Sequence, residues 1–342
     1  MNRILVTGAG GYVGVLMCET LLNKGHQVIA LDRYFFGYDK IKQLEGNPNI
    51  SFLKDDLRYV NTDFLKNIDV VIDLAGLSND ASAEIDPQLT VDINHKGAIR
   101  IAKAAKEYGV KRYIYSSSAS VYGAGAKTSL TETDPLAPLT QYAKSKVAVE
   151  DDLKLLHDKN FEIVLLRNAT IYGLAPRMRF DLAINIMTMR AWKEHNIYIM
   201  GGGEQWRPFV HVRDVIKAFI LCMDAPSEKV AGETFNVGSN DQNFQIKQLA
   251  QYVVNVIPNA TIHRIPDDAD NRSYNLNFDK ISNTLGYKTE FNINDGIIEI
   301  KNALDKGILD PVDPTCYTLQ WYKSLMDWSK RIKELSYNGE II

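Results

Sequence analysis

The segment from Arg3 to Asp32 leaves little freedom in how this chain can fold. RILVT (3–7) is a short apolar run, and TGAGGYVG (7–14) interrupts it with Gly8, Gly10, Gly11 and Gly14. Val15, Leu16, Cys18, Leu21 and Leu22 then recur at helical spacing, and Gly25 is the residue type that closes a helix in the left-handed conformation. QVIALD (27–32) is a second apolar run, ending in a carboxylate. Strand, glycine turn, helix and strand within about 30 residues make a βαβ unit with two parallel strands.

The alternation continues. ISFLKDD (50–56), DVVIDLAG (69–76), RYIYSSS (112–118) and EIVLLRN (162–168) read as strands, and 92–109 and 140–158 as helices. The expected fold class is α/β, a Rossmann-type doubly wound parallel sheet covered on both faces. From about residue 175 the rhythm loosens. FDLAINIMTMRAWKEH (180–195) carries an amphipathic stripe suited to a core, and LQWYKSLMDWSKRIKEL (319–335) reads as a surface helix with an aromatic anchor. No repeat or Pro/Gly/Ser linker divides the chain. We expect 1–174 to form the nucleotide-binding domain with the catalytic residues. Residues 175–342 would form a smaller C-terminal α/β substrate-binding part, interleaved with and packed on the first.

Composition narrows the partners. The 342 residues are 45% apolar, enough for a sizeable core, and the net charge is −3 with basic residues scattered. Nucleic acid is therefore not an expected partner. No apolar run reaches the roughly 18–20 residues of a spanning helix, so no membrane is expected either. The chain enters its first strand directly after Met1-Asn2, without a signal-peptide pattern. Cys18, Cys222 and Cys316 are far apart and the six histidines are dispersed. Reduced, buried thiols, a cytoplasmic location and no metal site are the expectation.

Two motifs carry chemistry. Gly8, Gly11 and Gly14 are three residues apart, with Tyr12 and Val13 between the last two. Glycines let the backbone turn sharply and approach a pyrophosphate, and the following helix N-terminus offers free N–H groups to its charge. Asp32, 18 residues beyond Gly14, can accept from both hydroxyls of an adenosine ribose and would repel a 2′-phosphate. NAD is favoured over NADP, although the adjacent Arg33 could welcome that phosphate. The second motif is QYAKSK (141–146). Tyr142 and Lys146 are i and i+4 on one helix face, an arrangement that a solvated face also produces by chance. The three serines that end RYIYSSS change its weight, because ligands in open α/β sheets gather at the carboxyl ends of strands. A tyrosine has a pKa of about 10, and a neighbouring ammonium favours its phenolate. Together with a serine hydroxyl, the pair could remove the proton of a carbinol as its hydride leaves.

TGAGGYVG, DDLR, LAG, SSSASVYG, YAKSK, LRNATIYG and RPFVHVRDV, in that order from residue 7 to 215, resemble the extended short-chain dehydrogenase/reductase family. The resemblance is to its nucleotide-sugar epimerases and dehydratases, and it implies a nucleotide-diphosphate sugar as substrate. By that resemblance Gly8, Gly11, Tyr12, Val13 and Gly14 form the pyrophosphate turn, and Asp32 and Arg33 face the adenosine ribose. Asp56 and Leu57 would lie at the adenine, and Ala75 and Gly76 against the dinucleotide. Asn94 would support the site, Ser118, Tyr142 and Lys146 would be catalytic, and Lys146 would also hold the nicotinamide ribose. Asn168 would lie near the substrate, and Arg207 and Arg272 would grip its diphosphate. His211 is expected to be structural, and Trp206 either stacks on a base or packs. Helices 92–109 and 140–158 resemble those that pair in family homodimers.

The resemblance also bears on the reaction. Family 4,6-dehydratases place Asp-Glu directly after the catalytic hydroxyl residue, whereas Ala119 and Ser120 stand here and cannot shuttle a proton. SSSASVYG resembles the UDP-galactose 4-epimerase type, which recycles its NAD and needs no further base. The expectation is NAD-dependent epimerization at C4. An NAD(P)H-dependent 4-ketoreductase, a dehydratase and a non-catalytic NAD(P) sensor are the alternatives. A 3,5-epimerizing enzyme would need further acid–base groups, for which Asp80, Glu84 and His211 are candidates.

Overall fold

The computed structural model describes residues 1–123, 128–265 and 273–340. Six strands follow the sequence reading: β1 (Arg3–Thr7), β2 (Gln27–Asp32), β3 (Ile50–Lys54), β4 (Val70–Asp73), β5 (Arg112–Ser118) and β6 (Glu162–Asn168). Next along the chain come β7 (Thr170–Tyr172), β8 (Asn196–Met200), β9 (Trp206–His211) and β10 (Thr234–Val237), then β11 (Asn243–Gln245) and β12 (Thr261–Ile265). Seven strands form one parallel sheet in the order β10-β6-β5-β4-β1-β2-β3. The fold is the Rossmann-type doubly wound sheet expected from the alternation. Its seventh strand comes from the C-terminal half, with Thr234 opposite Leu165. Residues on both sides of position 174 therefore share one sheet.

Side-chain alternation builds a core on each face of the sheet. Ile4, Val6, Ile72, Ile114 and Val164 pack under helices Gly14–Asn23 and Val212–Asp224. Leu5, Val71, Tyr113, Tyr115 and Leu165 face helices Ala98–Glu107 and Gln141–Leu156. A third core, with Ile184, Ile197, Phe209, Leu249 and Ile297, lies under the sheet β11-β9-β7 and the pair β12-β8. The helix read at 92–109 is split. Val91–Gly97 is π-helical and Ala98–Glu107 is α-helical.

The helix carrying Tyr142 is fixed at its first turn. Thr140 accepts from Ala143 N–H at 3.2 Å, and Glu84 Oε1 accepts from Gln141 N–H at 2.8 Å. The Thr140 hydroxyl donates in turn to Asp80. Glu84 takes a free N–H of the first turn directly, Asp80 braces the Thr140 cap, and both carboxylates face the positive end of the helix dipole. Asp80 and Glu84 thus set where the helix begins. Among the described residues no helix is long and apolar enough to cross a membrane, and none form a metal-ligating cluster. All three cysteines are free and buried.

Candidate active site

A cleft of about 690 Å³ opens at the carboxyl ends of β1 to β6. The cofactor, catalytic and substrate residues named from the sequence all line it, except Arg272, which lies outside the described residues. Trp206 and His211 do not line it. His211 is fully buried beside the third core, bonded to Glu299 Oε1 at 2.7 Å and stacked on Phe291.

The glycine turn forms one wall. Gly8 has φ +66°, and a Cβ on it would come within 2.9 Å of Ala75 N, so glycine is required for the close approach of the β1 and β4 turns. Gly11 closes the turn through a 3.0 Å bond from its N–H to Gly8 O. Tyr12 donates to Gly173 O at 2.5 Å and accepts from Asn185, tying the turn to the chain beyond β7. At the end of β2, Asp32 accepts from Gly10 N–H at 3.0 Å and Tyr34 N–H at 2.5 Å. Burial raises its pKa, while these N–H groups and Arg177 pull it down. Arg33 is already engaged. Its Nη1 donates to Asp56 Oδ2 at 2.8 Å, and Arg58 holds the same carboxylate through Nε and Nη2. The Arg58 bonds are the main cause that lowers the Asp56 carboxyl to about 2. A 2′-phosphate would have to draw Arg33 from this pair.

The far end of the cleft holds the hydroxyls. Ser118, the last residue of β5, accepts from Ser120 Oγ at 3.0 Å and lines the cleft with Tyr142. Lys146 Nζ donates to Ser116 O at 2.6 Å and lies 5.7 Å from the Tyr142 ring centroid. Burial pushes the Tyr142 hydroxyl up to about 12; Asp80 adds to the rise, and the Ser118 side chain and Arg179 oppose it. Burial likewise draws Lys146 down to about 8, against Asp73 and Glu150. Arg179, a cation the sequence did not point to, pulls the Tyr142 hydroxyl down, and burial outweighs it.

Supporting contacts fix these groups. Ser117 points the other way and donates to Glu150 Oε1 at 2.6 Å, which also pairs with Arg167. Asn94 accepts from Leu77 N–H at 2.7 Å and donates to Leu77 O, pinning the turn that holds Ala75 and Gly76. Asn168 Nδ2 donates to Ser116 Oγ and Ser117 O, while its buried Oδ1 has no partner. The carbonyl acceptor fixes which amide atom is the nitrogen. Arg207 is buried in the wall, 5.0 Å from the Tyr274 ring centroid.

Several cleft residues were not singled out in the sequence. Arg177, Arg179 and Asp181 enter from the segment after β7, and Leu319, Gln320 and Tyr322 from the last helix, Thr318–Leu335. Arg179 donates to Asp181 through Nε and Nη2. Burial works to raise the Asp181 carboxyl, but Arg179 holds it at about 2. Two arginines between apolar residues in APRMRFD are the signal that could have marked them.

With this geometry in place, comparison with known proteins is decisive. Residues 4–238 match the NAD dependent epimerase/dehydratase family. The chain belongs to that family. It is an NAD-dependent enzyme. The UDP-glucose epimerase YtcB of Bacillus subtilis, itself uncharacterized, is 28% identical over 86% of this chain and 95% of its own length. The UDP-glucuronate 4-epimerase of Thermodesulfobacterium geofontis is 25% identical over 90% and 98%. The crystal structure of the Bacillus cereus UDP-glucuronic acid 4-epimerase, in complex with UDP-glucuronic acid and NAD, superposes with a TM-score of 0.81. It is 24% identical over 89% of this chain and 99% of that one.

The cleft fits NAD. A Cβ on Gly11 would meet only Gly8 O within 4 Å, so bare backbone faces the cleft where a diphosphate needs to approach. Asp32 ends β2 beside it.

Proposed function

We propose that this enzyme interconverts the C4 epimers of a nucleotide-diphosphate sugar through a transient 4-keto sugar, holding its NAD throughout. The observation that carries the reading is that Ser118, Tyr142 and Lys146 line one cleft, with Lys146 Nζ 5.7 Å from the Tyr142 ring centroid and no proton-shuttling pair at Ala119 and Ser120. Bound NAD supplies a reversible hydride acceptor beside Ser118 and Tyr142. Tyr142 takes the proton of the C4 hydroxyl, and Ser118 bonds that oxygen and orients it. After the keto sugar turns over, Tyr142 returns the proton to the new hydroxyl. Lys146 would hold the nicotinamide ribose. The lone Oδ1 of Asn168 accepts from a sugar hydroxyl, and the fork of Arg207 suits a diphosphate. Ala119 and Ser120, standing where family dehydratases carry their Asp-Glu pair, weigh against the dehydratase reading. UDP-glucose and UDP-glucuronate are the first substrates to try, because the relatives are named for acting on them.

We also propose a homodimer, built on the paired helices Ala98–Glu107 and Gln141–Leu156. His95, in the turn before the first of these, and Asp152 on the second are linked at 2.7 Å. The test of function is to denature protein purified without added cofactor and identify the dinucleotide released. Stoichiometric NAD is expected, with sugar products of unchanged mass. Tyr142→Phe should keep that NAD and lose turnover by about a thousandfold or more. An empty protein that prefers NADPH would make the ketoreductase the better account.

A further inference from the structure

Arg177 is a buried cation with too few partners. Its side chain is 2% exposed, and its Nε has no acceptor. Nη2 donates to Thr318 Oγ1 at 2.9 Å, and the guanidinium lies 3.6 Å from the centroid of the Phe36 ring. The nearby carboxylate, Asp181, is already held by Arg179. Asp32, the other carboxylate that feels Arg177, accepts from the N–H groups of Gly10 and Tyr34, so neither carboxylate is hydrogen-bonded to Arg177. Burial, with Arg179 next to it, draws Arg177 down to about 10. An unpaired buried charge is costly, so an anion is the missing partner.

The surrounding elements say which anion. Arg177 lines the same cleft as Gly8, Gly11 and Gly14, and its charge reaches Asp32 at the end of β2. Phe36 follows β2, and Thr318 opens the last helix. That helix is fastened to the β2 side: Trp321 Nε1 donates to Phe35 O at 2.6 Å, and Tyr322 packs on Phe35 and Phe36. It also touches Asp80–Ala83, beyond β4. β1 lies between β2 and β4 in the sheet, so the helix crosses above the glycine turn that follows β1. A pyrophosphate on this fold sits at that turn.

We propose that Arg177 is a ligand of the NAD diphosphate, and that helix Thr318–Leu335 is a strap fastening it over the cofactor. The glycine turn offers only N–H dipoles, and Arg177 adds a full charge in a fork that matches phosphate oxygens. Phe36 and Thr318 hold the fork still before the ligand arrives. The strap keeps the cofactor in place between turnovers. This deepens the reading of a recycled NAD, but its test reads binding and needs no turnover.

The experiment compares parent, Arg177→Met and Arg177→Lys. It measures release of bound NAD into an excess of labelled NAD, affinities for ADP-ribose and adenosine, and affinity for UDP. Arg177→Met should release NAD at least about tenfold faster and bind ADP-ribose correspondingly less well, with adenosine and UDP unchanged. Arg177→Lys should fall between them. Equal losses for ADP-ribose and adenosine would mean a structural role and overturn the proposal. Loss of UDP binding with NAD release unchanged would assign Arg177 to substrate and overturn it too. Should Arg177→Met not fold, Tyr322→Leu serves instead: it loosens the strap and should speed NAD release, and an unchanged rate contradicts the proposal.

Discussion

Tyr142 lies where burial opposes the charge that proton abstraction requires. Its hydroxyl stands at about 12, with Asp80 pushing it up and Arg179 pulling it down. More phenolate forms as pH rises, so turnover should climb through the alkaline range. Asp80→Asn removes a negative charge, lowers the tyrosine pKa and should move the rising limb of the pH–rate profile to lower pH. Arg179→Met should move it higher. Profiles that coincide with the parent's would show that neither charge reaches the hydroxyl. Lys146 gives a second test, of stability. Its pKa is drawn from 10.5 to about 8 by burial. Between those values the folded lysine sheds its proton while the unfolded one keeps it, so the folded state gains stability as pH rises. Denaturant titrations of the parent and Lys146→Met should therefore show the parent gaining on the variant from about pH 8 to 10. A constant difference would mean that the ammonium is fully compensated in the fold.

The elements that carry the site differ in how openly the sequence declares them. The βαβ unit was legible because each of its signals is local: glycines at 8, 11 and 14, helical spacing from Val15, and a carboxylate at the end of β2. Tyr142 and Lys146 were legible for the same reason. The grip of Asp80 and Glu84 on the helix N-terminus joins positions about 60 residues apart and leaves no local pattern. The last helix is the surface helix with an aromatic anchor that the sequence suggests. The Trp321–Phe35 bond spans 286 residues, so nothing local showed that the first turn of this helix lines the cleft. Beneath the catalytic strand, Glu150 is fully buried and takes bonds from Arg167 and Ser117. Glu150→Ala would leave Arg167 buried without its partner. The expected cost is roughly 3–5 kcal/mol, read from chemical denaturation, and a loss under about 1 kcal/mol would mean that other acceptors take over.

At the scale of the molecule, the sheet brings a glycine turn from the chain's start and a Ser-Tyr-Lys set from its middle to one cleft. The C-terminal half closes that cleft with Arg207, the Arg177–Arg179–Asp181 cluster and the last helix. This enclosure suits an enzyme that takes a hydride from its substrate and gives it back before the cofactor leaves. Such an enzyme keeps the label of its own substrate. The measurement to make is turnover of a nucleotide sugar deuterated at C4, with no dinucleotide added beyond what the protein carries. The account predicts epimerized product of unchanged mass, with deuterium retained at C4 and no net consumption of NAD. Loss of the deuterium to solvent, loss of water from the sugar, or a need for added NADPH would contradict it.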